Sequence, residues 1–241
     1  MTTPHKKAPS LLVATWNLQK CIGMDLRRDP GRVLDVLADT GAELAILQEV
    51  DKRLPPRPAA LPREMTTARG WQVLDFSPLG PGGPSLGWHG NAMLVRPGTA
   101  VVRTDRFALP GLEPRGAIRA ELATAIGPLR VIGTHLGLRR RDRLRQLHAI
   151  SSHLAPLPVM PTLLAGDINE WGRITVLDHA LDGLRFLDSP PTYPAPRALG
   201  RLDRFALSDG LRALQAPKPH VAQPARIASD HLPLVMRIGP E

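Results

Sequence analysis

Short apolar runs recur along the chain, and most of them end at a polar side chain. LLVATW leads into Asn17, LAIL into Gln48 and Glu49, LRVIGT into His135, and TLLAG into Asp167. Apolar runs of this length are typical of buried strands. The pattern therefore predicts strands that carry amide, carboxylate and imidazole groups at one edge of a sheet.

Apolar runs also accompany polar residues near the C-terminal end of the chain. Asp203 lies within RLDRFALS, and Asp230 and His231 directly precede the apolar run of SDHLPLVMRI. Asn169 follows Asp167 at a spacing of two residues. A set of carboxylates, amides and imidazoles of this kind is what metal-assisted hydrolysis of a phosphate ester requires.

The pattern between the runs predicts two strand–helix–strand units. In the first unit Asp29 is a suitable N-cap, Pro30 fits the first helical position, and Gly41 ends the helix. In the second unit leucines and isoleucines recur on one helical face from Leu144 to Leu154. The predicted elements are a strand at 11–16, a helix at 29–41 and a strand at 44–47, then a strand at 129–134, a helix at 139–154 and a strand at 162–165.

Helices that cross between strands require sheets whose faces are covered. We therefore expect an α/β fold in which two similar halves pack sheet on sheet, with helices outside and strand ends converging on one site. Shorter strands are predicted between the halves, at 71–76, 92–95, 100–107 and 117–123. The loops 54–63 and 77–90 are rich in Pro with Arg or Gly, and 77–90 is either a tolerated insertion or a substrate-facing lid.

Length and charge narrow the picture further. The 241 residues predict one domain at 11–241 after a flexible N-terminus at 1–10, because the candidate site residues run from Asn17 to His231. The net charge of +9 comes mostly from Arg and favours an anionic partner, either nucleic acid, an acidic lipid or a phosphorylated small molecule. The alternative is that a GC-rich genome encodes Arg where other proteins carry Lys.

The single cysteine, Cys21, excludes an internal disulfide and a Cys-based zinc site. No apolar stretch is long enough to span a bilayer, and no signal peptide follows the basic N-terminus. We expect a cytoplasmic monomer.

Each candidate residue has a chemical role and an alternative. Glu49 and Asp230 offer hard oxygen ligands for Mg²⁺ or Mn²⁺, and Asn17 adds a neutral oxygen or holds Glu49 in place. Asp167 suits activation of a water molecule, and Asn169 suits a hydrogen bond to a phosphate oxygen if the strand continues through both residues. The alternative for each residue taken singly is an exposed strand end. The alternative for Asp167 and Asn169 together is an Asx turn before a helix near residue 171.

The imidazoles suit contacts with phosphate. Asp203 and His231 are expected to pair, so that the carboxylate fixes the tautomer and favours the protonated ring. His135 suits a phosphate contact or protonation of a leaving group.

These motifs, in this order, resemble the endonuclease/exonuclease/phosphatase superfamily with its DNase I-like fold. The resemblance runs from about residue 11 to 238 and rests on seven motifs: WNLQK, LAILQEV, GNAML with Asn91, THLGL, LAGDINEW, RLDRFALS and SDHLPL. It implies a four-layer α/β sandwich of two packed mixed sheets flanked by helices. It also implies a Mg²⁺- or Mn²⁺-dependent phosphoesterase.

The resemblance assigns roles to the residues already named. It implies that Glu49 binds the metal with Asp230 and Asn17 close by, that Asp167 aligns water, and that Asn169 binds phosphate. It implies that His231, paired with Asp203, stabilises the transition state or shuttles a proton, while His135 contacts the phosphate or acts as a general acid. The candidate substrate-binding residues are Asn91, Arg115, Arg139, Arg140 and Arg141.

Departures from the superfamily pattern leave the substrate open. Nucleases of the abasic-site type carry an aromatic residue where this chain has Arg204, and their DNA-gripping insertions are not evident. THLGL, GDINEW and the TYPA segment look more like a bacterial branch for which nucleic acid and phospholipid-type phosphodiesters are both proposed. The alternative to an enzyme is a member of the fold that binds phosphate or nucleic acid without cutting.

Arg139, Arg140 and Arg141 are predicted to open a helix, where the macrodipole disfavours positive charge. They are interpreted as an anion site for a second phosphate or an acidic membrane surface. The alternative is that Arg143 and its neighbours form a solvated face with Asp142.

Overall fold

The computed structural model of the chain describes residues 8–52, 56–77 and 83–241. Within these ranges the strands are β1 Leu11–Asn17, β2 Leu44–Gln48, β3 Gln72–Val73, β4 Ala92–Val95, β5 Ala100–Leu109, β6 Arg115–Thr124, β7 Gly127–His135, β8 Thr162–Asp167, β9 Leu184–Phe186, β10 Asp203–Ser208, β11 Leu211–Pro219 and β12 Leu234–Pro240. The α-helices are α1 Pro30–Asp39, α2 Arg63–Ala68, α3 Arg140–Leu154, α4 Thr175–Asp178 and α5 Ala225–Ala228. No helix of the described part is long and apolar enough to cross a membrane.

The strands form two six-stranded mixed sheets. The order is β11-β12-β1-β2-β4-β3 in the first sheet and β5-β6-β7-β8-β10-β9 in the second. Each sheet has one parallel pair, β1 with β2 and β7 with β8. These pairs are the strands of the two predicted strand–helix–strand units. The repeat predicted from the sequence pattern is therefore confirmed in the structure.

Local chemistry explains why α1 lies between its strands. The Asp29 side chain accepts a hydrogen bond of 2.9 Å from the backbone N–H of Arg32, and Pro30 occupies the first turn. The helix ends before Gly41, which has a φ of +68°. The apolar face of α1 is fully buried through Val33, Leu34, Val36 and Leu37.

Three apolar clusters correspond to the interfaces between four layers. The central one packs the inner faces of the two sheets and includes Val13, Ile46, Val131 and Phe205. A second cluster packs α1 on the outer face of the first sheet, and a third packs α3 on the outer face of the second. The observed architecture is the expected four-layer α/β sandwich.

The topology brings the polar strand ends to one edge. The parallel strands β1, β2, β7 and β8 finish there, and their antiparallel neighbours β4, β6, β10 and β12 begin there. Asp167 lies in register with His135 on one side and Asp203 on the other. Side chains in register on adjacent strands share a face, which places these three together.

A few predicted elements differ from the structure. The strand predicted at 71–76 is limited to Gln72–Val73. The Leu74 N–H still donates to the Met93 carbonyl of β4 at 3.0 Å, but Trp71 and Phe76 are buried outside the strand. The helix expected near residue 171 begins at Thr175 and has one turn. Parts of both predicted loops, 53–55 and 78–82, and residues 1–7 of the predicted flexible N-terminus lie outside the described residues.

Candidate active site

A buried Asp–His pair joins the two sheets at the site. Nδ1 of His231 lies 2.8 Å from Oδ2 of Asp203, and the hydroxyl of Thr192 donates to the same oxygen. Asp203 begins β10 in the second sheet, whereas His231 precedes β12 in the first. The imidazole is therefore oriented by a carboxylate from the opposite sheet.

Asp167 is the centre of the polar cluster. Its Oδ2 accepts a hydrogen bond of 3.0 Å from Nδ2 of Asn17 and lies 3.4 Å from Nε2 of His135. Nε2 of His231 lies 3.8 Å from the same oxygen. One amide and two imidazoles thus surround one carboxylate oxygen.

Gly166 lets β7 and β8 approach closely enough to align these side chains. A Cβ at this position would lie 1.8 Å from the carbonyl oxygen of Thr134, and the glycine φ is +154°. Only glycine fits such a conformation beside a neighbouring backbone. The glycine of GDIN therefore sets the spacing between His135 and Asp167.

Of the two arrangements left open for Asn169, a continued strand and an Asx turn, the structure has the turn. The strand ends at Asp167, whose Oδ1 accepts a hydrogen bond of 3.0 Å from the backbone N–H of Asn169. Asn169 has a φ of +55°, and its Nδ2 donates to the carbonyl of Leu136. The Asx turn is present, and it still places the buried Asn169 beside Asp167 because the turn folds back on the strand end.

The two histidines near Asp167 differ in charge. Burial lowers the pKa of His231, but the charge and hydrogen bond of Asp203, with the charges of Asp167 and Asp230, outweigh it and raise the pKa to about 10. Burial lowers the pKa of His135 to about 3, and Arg115 adds to the effect while Asp167 opposes it. At neutral pH an imidazolium and a neutral imidazole therefore face the same carboxylate.

Glu49 and Asp230 are the remaining carboxylates. Glu49 follows β2 with a φ of +55°, and its carboxylate forms an ion pair with the Lys20 ammonium. Burial raises the pKa of Asp230, and the charge of Glu49 raises it further although His231 opposes both. Because the charge of Glu49 acts on the carboxylate of Asp230, a cation placed near both would stabilise them.

A cavity of about 310 Å³ opens at Glu49, and Lys20, His89, Arg115 and His135 also line it. Arg115 begins β6, and its Nε is buried without a hydrogen-bond partner in the described residues. Burial lowers the pKa of Arg115, whereas the charges of Asp167, Glu113 and Glu49 raise it.

Asn91 is anchored below the same edge. Its Nδ2 donates to the carbonyls of Gly116 and Trp88, at 3.1 and 3.3 Å. Its buried Oδ1 has no partner among the described residues.

The three consecutive arginines lie at the start of α3. Arg139 is the residue before the helix, and all three are exposed. Nη2 of Arg140 lies 3.4 Å from Oε1 of Glu170, next to Asn169. The alternative of a solvated face is wrong at Asp142 and Arg143, which are 2% and 5% exposed.

Sequence reasoning missed four contacts that shape the site. Lys20 pairs with Glu49, the Ser229 hydroxyl donates to the carbonyl of Asn17, and Thr192 donates to Asp203. Arg143 donates to Oε2 of Glu170 at 2.8 Å and so fixes the loop after Asp167. Two of these residues could have been found from the sequence, because Lys20 directly follows WNLQ and Glu170 directly follows GDIN.

Comparisons with known proteins identify the family and the fold. The model of the Endonuclease/Exonuclease/phosphatase family matches residues 14–231. No curated protein matches the chain.

Solved structures share the fold at low sequence identity. An endonuclease/exonuclease/phosphatase from Beutenbergia cavernae superposes with a TM-score of 0.71 at 21% identity, over 96% of this chain and 72% of that one. D. rerio TDP2, complexed with single-strand DNA product, gives 0.73 at 14% identity over 95% and 99%. The human Nocturnin catalytic domain with bound sulfate gives 0.69 at 20% identity over 97% and 96%.

The polar edge, the two mixed sheets and a family match over most of the chain all lead to one assignment. The chain belongs to the endonuclease/exonuclease/phosphatase family and has the DNase I-like fold.

Proposed function

We propose that this protein is a divalent-metal-dependent phosphodiesterase in which water attacks phosphorus in line with the leaving group. The observation that carries the proposal is the arrangement around Asp167, where His231 is cationic and His135 neutral. A base with a fixed cation beside it suits attack on an anionic phosphate ester.

In this mechanism Asp167 orients the attacking water and accepts its proton. Asn17 holds the carboxylate through its Nδ2, so the accepting oxygen is fixed before substrate binds. Asn169 is positioned by the turn at Asp167 to hydrogen-bond the phosphate.

His231 neutralises negative charge that develops on the phosphoryl oxygens. Asp203 keeps the ring protonated and oriented. The low pKa of His135 favours a hydrogen bond from the neutral ring to phosphate over the role of general acid. Arg115, whose buried Nε has no partner among the described residues, is proposed to complete the phosphate contacts. The unpartnered atom of Asn91 is Oδ1, an acceptor, so we propose that Asn91 binds a hydroxyl or water donor of the bound substrate and not a phosphate oxygen.

Glu49 and Asp230 fit a divalent cation because they are hard oxygen donors and the negative charge of Glu49 acts on Asp230. Mg²⁺ or Mn²⁺, when bound, supplies charge neutralisation and polarisation of the phosphate. Asn17 is the neighbouring amide oxygen, and Gln19 N–H donates to it at 3.0 Å.

A second group, Asp167, Asp203 and His231, also places ligand atoms within 4.8 Å of one another. Metals bind the neutral imidazole, whereas His231 holds its proton, and Oδ2 of Asp203 already accepts from Thr192 and faces His231. We therefore assign this group to water activation and phosphate contact.

Nucleic acid is the first substrate class to test, because the net charge is +9 and the structural neighbour TDP2 was solved with a DNA product. Vesicles of an anionic phospholipid form the second arm. The proposal also treats residues 11–241 as one domain of a monomeric enzyme.

The direct test is turnover of bis(p-nitrophenyl) phosphate with Mn²⁺ by the wild type and by Asp167→Asn. We expect hydrolysis by the wild type and a loss of about 100-fold or more in kcat in the variant. A protein that binds phosphate without cutting would show no turnover, and equal turnover in both would remove Asp167 from the mechanism.

A further inference from the structure

Arg204 is a buried cation without a counter-charge in contact. It follows Asp203 on β10, so its side chain leaves the opposite face of the sheet, in register with Gly166. The residue is 2% exposed, and its Nε is buried without a partner. Within the described ranges, its guanidinium forms no hydrogen bond or ion pair.

A buried arginine in a folded protein is normally paired, because an uncompensated charge out of water is costly. Glu170 is held by Arg143, and Asp188 by Arg201 at 2.8 Å. Asp178 also lines the cavity but is exposed, and it forms no ion pair with Arg204. Arg204 is therefore a buried cation of this cavity with no carboxylate in contact among the described residues.

Arg204 opens into a cavity of about 620 Å³ on the outer side of the second sheet. Apolar walls come from Trp171, Ile174, Phe186 and Leu199, and exposed charged residues (Arg173, Asp178, Asp188 and Arg201) also line the cavity. Trp171 and Leu199 are 66% and 70% exposed, so apolar surface is available at the mouth while the base holds the buried guanidinium of Arg204. Such a cavity suits a ligand with an anionic end and an apolar or planar body.

Ring contacts connect the cavity to the catalytic imidazole. Trp171 packs edge-on against Tyr193 with centroids 5.8 Å apart. Tyr193 in turn lies 4.9 Å from the ring of His231. A substrate whose scissile phosphate sits at His231 can therefore extend over Tyr193 and Trp171 toward Arg204.

We propose that this cavity is a substrate subsite in which Arg204 binds a second phosphoryl group and Trp171 contacts the group that joins it to the scissile phosphate. The inference rests on the proposed phosphodiesterase function and specifies its substrate as one that carries two phosphates. The planar guanidinium fork matches phosphate oxygens in a bidentate manner. A base or sugar stacks readily on an exposed indole, which favours a nucleotide as the joining group.

Arg201 is the matched control. It lines the same cavity, but its guanidinium already binds Asp188 and the carbonyl of Ser189. If general positive charge attracts the substrate, replacing Arg201 or Arg204 should have the same effect on substrate preference. If the subsite exists, only the replacement of Arg204 should reduce the preference.

Two chromogenic substrates that differ in one phosphate test the subsite. They are thymidine 5′-(p-nitrophenyl phosphate) and the same ester with a 3′-phosphate, and both release p-nitrophenolate. We expect the wild type to favour the 3′-phosphorylated ester by about tenfold in kcat/KM, the value of one charge-assisted contact. Arg204→Gln should reduce this ratio toward one, and Arg201→Gln should keep it.

Arg204→Lys and Trp171→Ala keep the test decisive if Arg204→Gln misfolds. The lysine retains charge without the fork and should give an intermediate ratio, and the exposed Trp171 can be truncated without opening the core. No preference in the wild type, or an equal loss of preference in Arg201→Gln, would overturn the subsite.

Binding of inorganic phosphate to metal-stripped protein, measured by calorimetry, separates the subsite from the proposed function. We expect Arg115→Gln to retain the phosphate site at Arg204. We expect Arg204→Gln to lose that site, even if neither ester is hydrolysed. Unchanged phosphate binding in Arg204→Gln contradicts the subsite, whereas phosphate binding without turnover contradicts only the phosphodiesterase.

Discussion

Nδ1 of His231 lies 2.8 Å from Oδ2 of Asp203, although the two residues belong to different sheets. The backbone carbonyl of His231 also accepts a hydrogen bond of 2.7 Å from Nε1 of Trp16. The ring is thus fixed by the second sheet and its backbone by the first. A displacement of one sheet relative to the other would break the pair, so the sheet interface and the catalytic geometry depend on each other.

Removing the charge of Asp203 should lower the pKa of His231. Asp203 is the first of the charges that raise this pKa, so in Asp203→Asn we expect it to fall and kcat to drop by about 100-fold or more near pH 7, because the ring loses the carboxylate that keeps it protonated and oriented. NMR titration of the ring and steady-state kinetics measure the two effects. The pair of the partly buried His220 and the exposed Asp39 is the control, and Asp39→Asn should leave kcat unchanged.

Glu49→Gln should weaken metal binding more than catalysis. The amide keeps the shape but loses the charge, so the Mg²⁺ concentration for half-maximal activity should rise about tenfold or more, while saturating metal restores much of kcat. Metal titrations of initial rate measure this, with the exposed Glu64→Gln as control. A half-maximal concentration equal to that of the wild type excludes Glu49 as a ligand.

Replacing Arg139, Arg140 and Arg141 together with Gln should affect only polyanionic substrates. We expect a higher KM for plasmid DNA and a flatter dependence on salt, because fewer counterions are released on binding. Hydrolysis of a small phosphodiester should stay within about twofold of wild type, since its single charge does not need the cluster. Equal changes in the kinetics of both substrates would indicate that the three arginines stabilise the structure and do not bind the substrate.

Glu170→Gln should destabilise the fold in a pH-dependent way. Burial raises the pKa of Glu170, but hydrogen bonds from Arg143 and the Gly172 N–H, with the charge of Arg143, hold it below its usual range. A carboxylate with a lowered native pKa stabilises above its ordinary pKa of about 4.3, and this contribution is lost as pH falls below that value.

The expected loss in unfolding free energy is about 3 kcal/mol near pH 7, because Arg143 is left buried without its carboxylate. The loss should shrink toward about pH 3. Denaturant titrations at both pH values test this, and Asp35→Asn, which removes an exposed pair with Arg69, should cost about 0.5 kcal/mol or less. A penalty that does not change with pH would show that Glu170 acts through packing alone.

The strands that carry the site could be predicted from the sequence because each is a short run of apolar residues. A strand buried on both faces gives such a continuous run, so its position in the sequence is clear. β4 was predicted at Ala92–Val95 and is found there. The strand predicted at 71–76 was longer than β3, because Trp71 and Phe76 are buried apolar residues that lie outside the strand. Periodicity cannot distinguish such residues from those of a strand.

Contacts across long separations could not be predicted in the same way. The sequence left open whether Asn169 lies on a continued strand or in an Asx turn. In the structure the side chain of Asp167 accepts from the Asn169 N–H, and the strand ends there. Arg204 was noted only as a departure from an aromatic residue. Its burial without a partner depends on the loop from Glu170 to Thr175, whose position a one-dimensional pattern does not contain.

The most direct test of the account is hydrolysis of bis(p-nitrophenyl) phosphate by protein stripped with EDTA and then titrated with Mg²⁺ or Mn²⁺. The account predicts no turnover above the uncatalysed rate in the stripped protein and recovery on addition of either ion, because Glu49 and Asp230 are hard oxygen donors and the one cysteine, Cys21, is buried. Full activity in the stripped protein would contradict it.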